Sequence, residues 1–235
     1  MSLSAWTADW VATLGAIDVP ALPELLWMQW GLRMGWGMVC SWLLVQVVQA
    51  VRDAAARRRQ APAAPLPAGA RALLCLVTVG LMALPGPASP AFWLGLAFQL
   101  PSGVTVLLCT ASVWRHGGRR DDPRTVFGLS LLAVALGWVL LLDTFALLPW
   151  QVYAWGFSPA AVLLVGALSI LPWLAGTAAR APLLTYGLPL VVLAYAVVRL
   201  PSGNVWDAML DPWLWLAAHV QLLRLAASGW RRRSR

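Results

Sequence analysis

The chain has 235 residues, 60% of them hydrophobic and only 11% charged, with a formal net charge of +8. A soluble domain covers its surface with about 25% charged residues, so a water-facing shell is excluded and the solvent has to be largely lipid. All 17 basic residues are arginine, set in short runs between apolar stretches; this is the pattern of loops that orient membrane helices rather than of a nucleic-acid surface.

Residues 1–23 lack a basic residue and carry Asp9 and Asp18, so they do not read as a cleavable signal. Leu3, Trp6, Trp10, Leu14 and Ile17 recur at steps of three or four, which predicts an amphipathic helix lying on the outer face, ended by Pro20 and Pro23. A first span covers about 24–51. An inner Arg/Ala/Pro linker follows over 52–70, with Pro62, Pro65 and Pro67 excluding regular helix from its QAPAAPLPAG string. Further spans are expected at about 71–85, 91–114, 125–148, 159–179, 182–198 and 212–230, and a basic inner tail at 231–235. Cys40, Cys75 and Cys109 fall inside apolar stretches without metal-ligand spacing and read as reduced packing residues.

The fold class expected is therefore an all-α polytopic membrane bundle of about seven spans in a bacterial inner membrane. Arginine-rich loops on one side require an even number of crossings between them, which gives the count. Fourteen of the arginines then fall inside, Arg199 outside, and Arg33 and Arg224 within spans. The positive-inside bias puts the N-terminus outside and the C-terminus inside. The outer side collects Glu24, Asp143, Asp207 and Asp211 and most of the tryptophans, and so is the expected working face.

Few polar groups lie within the spans. Gly31 and Gly35 form a GxxxG pair that lets helix backbones approach closely. Arg33 lies about 200° round the helix from that face. A buried arginine costs about 2.5–3.5 kcal/mol on insertion scales, so Arg33 calls for a structural partner, a ligand or a snorkelling path. Gln99, Pro101, Ser102 and Gly103 interrupt the third span, which predicts a kinked or broken helix. LPSG recurs at 200–203, where it ends a span, and reads as coincidence rather than a repeat. Asp143 is expected to cap the TFALLP segment or to pair with Arg33 or His219.

His219 is expected to bond a helix carbonyl, and a Ser102–His219 dyad is the remote enzymatic alternative. Arg33, Gln99, Ser102, Asp143 and His219 together make the candidate polar pocket. No P-loop, metal cluster, cofactor motif or catalytic carboxylate pair is found. The function expected is a non-catalytic accessory or scaffold subunit of a membrane complex. Its partners are the lipid bilayer and other subunits or a second copy of the chain, not nucleic acid. The alternatives are a small transporter or channel and, more remotely, an intramembrane hydrolase.

Overall fold

A computed structural model of the chain describes residues 20–60, 64–114, 122–174 and 182–233. The amphipathic segment expected over 1–19, and the inner loops at 115–121 and 175–181, lie outside the described residues. So do residues 61–63 of the linker and the last two residues of the tail. Within the described residues the secondary structure is entirely helical.

The helices are α1 (Leu25–Arg58), α2 (Ala68–Met82), a 3-10 turn (Gly86–Ala88), α3 (Pro90–Ala97), α4 (Gly103–Trp114), α5 (Pro123–Thr144), α6 (Val152–Trp155), α7 (Pro159–Leu174), α8 (Pro182–Val198), α9 (Val205–Met209) and α10 (Pro212–Arg233). Two of them, α1 and α5, are long and apolar enough to cross a membrane. Among the described residues the others are shorter or less apolar.

One local device starts four of these helices. Ser89, Asp122, Ser158 and Asp211 each precede a proline, and each side chain accepts a backbone N–H of the first turn, from Ala91, Thr125, Ala161 and Leu214 respectively. The cap satisfies an orphan donor, and the proline gives up an N–H that has no helical partner there anyway. At Asp122 burial works against ionisation, but the Thr125 hydroxyl and N–H, with Arg124, outweigh it and hold the carboxyl below its usual range.

The helix ends pass beyond the sequence expectation in α1 and α10. α1 overruns Val51 to Arg58, because DAAAR is a good helix former and Arg57 and Arg58 complement the C-terminal dipole. α10 likewise continues through Arg231–Arg233, so these residues are helix rather than tail. The third span is broken where Pro101 and Gly103 led one to expect, into α3 and α4 separated by non-helical residues 98–102.

The chain divides into two compact units. The first holds 25–101 and 105–114. In it α1 packs on α2 and α3, and Val45, Leu66, Cys75 and Val113 form a core with Trp42 and Leu74 against it. Gly35 and Gly37 supply close approaches within this unit. A Cβ on Gly35 would stand 3.1 Å from Leu100 Cδ1, and one on Gly37 3.2 Å from Val79 Cγ2. The end of the linker that leads into α2 is docked: Gln49 Oε1 accepts the Leu66 N–H at 2.9 Å, and Leu66 is buried in the core.

The second unit holds 20–24, 102–104 and 122–233. Its helices pair as α5 with α10 and α7 with α8, and α9 packs on α7 and α8. Ala161, Val165, Val192, Tyr195, Val205, Trp206 and Ala208 form its core. Both units leave large apolar side chains exposed, among them Leu76, Leu132, Leu163, Val197 and Leu223.

Candidate functional site

The densest polar structure is a cap in the second unit, built from residues 143–158 and 199–215. It grows from two loops that the sequence marks only as polar and tryptophan-rich. Asp143 sits in the last turn of α5, and its carboxylate accepts the Tyr153 N–H at 2.7 Å. The Tyr153 phenol donates to Asp207 Oδ2 at 2.9 Å, and Ser202 Oγ donates to the same oxygen. Burial first, and then the Asp207 carboxylate, push the Tyr153 phenol above its ordinary range.

Asn204 is fully buried and joins the two loops. Its amide donates to the Tyr153 carbonyl at 2.8 Å, and its Oδ1 accepts the Trp206 N–H at 2.9 Å. Trp206 Nε1 donates to the Val152 carbonyl at 2.8 Å, and the Val205 N–H to the Gly156 carbonyl at 3.0 Å. Position 156 has room only for glycine, since a Cβ there would lie 2.0 Å from Asn204 Oδ1. Gly203 has φ +83°, and a Cβ would meet the Ala21 carbonyl at 2.7 Å, so both its conformation and its surroundings require glycine. Its carbonyl accepts the Tyr195 hydroxyl.

Asp211 closes the cap. It is buried, with Oδ1 on the Leu214 N–H and Oδ2 on the Ser102 N–H, both at 2.7 Å. One carboxylate thus caps α10 and holds the residue that leads into α4. The two LPSG strings are not conformationally equivalent: Gly103 opens a helix, whereas Leu200–Pro201 is a cis peptide followed by left-handed Gly203.

The five residues expected to share one pocket are divided between the two units. Arg33 and Gln99 belong to the first unit, and Ser102, Asp143 and His219 to the second. The Arg33 guanidinium lies 5.3 Å from the centre of the Trp30 ring, one turn toward the N-terminus. Its partner is an aromatic face, and among the described residues it forms no ion pair. Gln99 is exposed. Asp143 engages Tyr153 and does not cap TFALLP, because that segment turns away through Ala146 at φ +53°.

His219 bonds a carbonyl as expected, but that of its own preceding turn: Nδ1 lies 2.9 Å from the Trp215 oxygen. Its ring stacks edge-on with Trp215 at 4.8 Å and lies 6.4 Å from Trp138. Ser102, Asp143 and His219 therefore each serve a different local contact.

Sequence reasoning missed Tyr153, Asn204, Asp207 and Asp211 as a group. Only Asp211 carried a usable signal, an aspartate directly before a proline at a helix start. Among the described residues no three His, Cys, Asp or Glu side chains are grouped to hold a metal. No protein-family model matches the chain, and no curated protein or solved structure is found to be similar to it.

Proposed function

We propose that the chain is an integral membrane accessory or scaffold subunit of a bacterial inner-membrane complex. In this reading it has about seven spans, an outer N-terminus and an inner C-terminus, and no catalytic chemistry of its own. The observation that carries it is α5. This helix has 22 residues and a mean hydropathy of 2.4 in its most apolar window, and none of that window is buried within the chain. Its length of about 33 Å matches a hydrocarbon core of about 30 Å. So much uncovered apolar surface calls for lipid or another subunit.

Two further facts support a structural role. The polar groups of the cap bond one another and the loop backbones, which fixes loop shape rather than presenting donors to a substrate. Gly35 and Gly37 of α1 pack within the chain, and its first turns, Leu25 to Trp30, are exposed for lipid or a partner. The transporter alternative draws on the interruption at 98–102, where exposed backbone would serve a substrate. It is the weaker reading, because the Ser102 N–H is already engaged by Asp211.

The test is native electrophoresis of digitonin-solubilised membranes carrying the tagged chain, with mass spectrometry of the excised band. A stoichiometric complex with other polypeptides is expected, and a stable monomer without partners refutes the scaffold reading. Alkaline extraction of the same membranes tests the embedding separately: the chain should stay in the pellet.

A further inference from the structure

We propose that a cleft in the first unit, at the arginine-bearing end of α1, binds a phosphate-bearing anion, with the headgroup of an anionic phospholipid as its source. The cleft has a volume of about 510 Å³ and is lined by Gln46, Gln49, Asp53 and Arg57 of α1, Arg71 of α2 and Ser112 of α4. Ligand pockets run from about 300 to 1,000 Å³, so a glycerophosphate headgroup fits.

The site is built, not incidental. Arg71 is only 7% exposed, and its Nη1 is held by the Val113 carbonyl at 2.8 Å, which fixes the guanidinium plane at the cleft wall. That bond also covers one carbonyl in the last turn of α4. Gln49 fastens the opposite wall, with Oε1 on the Leu66 N–H and Nε2 on Asp53 at 2.7 Å.

Asp53 is thus turned to Gln49 and not to Arg57, although the two are four residues apart on one helix. Arg57 is exposed and forms no ion pair among the described residues. The cleft lining carries two guanidiniums, Arg57 and Arg71, and one carboxylate, Asp53. A guanidinium's planar fork suits phosphate oxygens in pairs. The lipid source rests on the membrane orientation proposed above, which sets this end at the cytoplasmic leaflet, where anionic lipids concentrate. The phosphate chemistry does not rest on it.

The experiment uses the full chain in a neutral detergent, titrated with phosphatidylglycerol, phosphatidylcholine or inorganic phosphate and read by native mass spectrometry and thermal shift. Arg57→Gln is compared with Arg58→Gln, which removes the same charge from the same turn but lies outside the cleft lining. Phosphatidylglycerol should bind in preference to phosphatidylcholine. Arg57→Gln should weaken it about tenfold, as expected for one charge-assisted contact, and Arg58→Gln by less than about twofold. Binding of inorganic phosphate that is lost in Arg57→Gln, without preference between the lipids, keeps the site and makes its source a soluble phosphate. No binding by either probe, or equal weakening by both substitutions, overturns the site. Alkaline extraction reports independently on whether the membrane reading has failed.

Discussion

Replacing Asp211 tests whether one carboxylate organises the cap. Its two oxygens serve the Leu214 and Ser102 N–H groups, both at 2.7 Å, and Ser102 is fully buried. Asp211→Ala removes an N-cap, which costs about 1 kcal/mol. It also strips a buried N–H of its acceptor, at about 1–3 kcal/mol. The total is about 3 kcal/mol, a large share of an ordinary domain's stability. Asp211→Asn keeps a capping oxygen but presents an amide to Ser102, so it should lose about 2 kcal/mol and leave the start of α10 intact. Equilibrium unfolding in mixed micelles, followed by far-UV circular dichroism, gives the two differences. Residue-resolved hydrogen exchange at the Ser102 amide localises them, with faster exchange expected in both variants. A cost under about 0.5 kcal/mol for Asp211→Ala, with Ser102 exchange unchanged, would refute the argument that this bond holds the entry to α4.

Gly156→Ala drives a methyl into Asn204 Oδ1 and the Trp206 ring. Overpacking at about 1–3 kcal/mol plus a displaced buried amide should cost about 3–5 kcal/mol by the same unfolding assay. Gly137→Ala meets the Trp215 ring, whose Cδ1 would be 2.2 Å from the new carbon and whose Nε1 donates to the Val134 carbonyl at 3.2 Å. The α5–α10 pair should separate at a cost of about 2–4 kcal/mol, read as a red shift in tryptophan emission that Gly128→Ala, at an open position, does not give. The Tyr153 phenol is pushed up when folded, so its contribution to stability is complete below the unfolded value of about 10 and is lost progressively as pH rises from there through the folded one. Alkaline unfolding of Tyr153→Phe, compared with wild type, should converge at high pH; a constant difference through that range would refute the assignment.

The helices were legible because apolar runs and proline punctuation are local signals. Pro90, Pro123, Pro159, Pro182 and Pro212 each open a helix within two residues of the expected start. The interruption at Pro101 was legible for the same reason, since proline forfeits a hydrogen bond wherever it falls in a helix. Length was less so. α1 runs to Arg58 because helix propensity and the dipole continue past the last apolar residue, and hydrophobicity does not register either.

The cap was not legible, and the reason is distance along the chain. Ser102 meets Asp211 across 109 residues, and Tyr153 meets Asp207 across 54. No periodicity records such pairs. The sequence marked Arg33 as the residue to follow, because a charge within an apolar run is costly. The arrangement observed answers that cost locally, with the guanidinium over Trp30 one turn nearer the helix start. The polar residues that bear on architecture lie instead at helix ends and in the loops of the second unit, where Asp143, Asn204 and Asp211 satisfy backbone N–H and carbonyl groups and Asp207 accepts the Tyr153 and Ser202 hydroxyls. In an apolar surrounding an unpaired backbone group costs several kcal/mol, so loops that leave water must carry their own acceptors. Asp143 and Asp211 meet that requirement in the second unit, since each carboxylate accepts a backbone N–H of a segment outside its own helix turn.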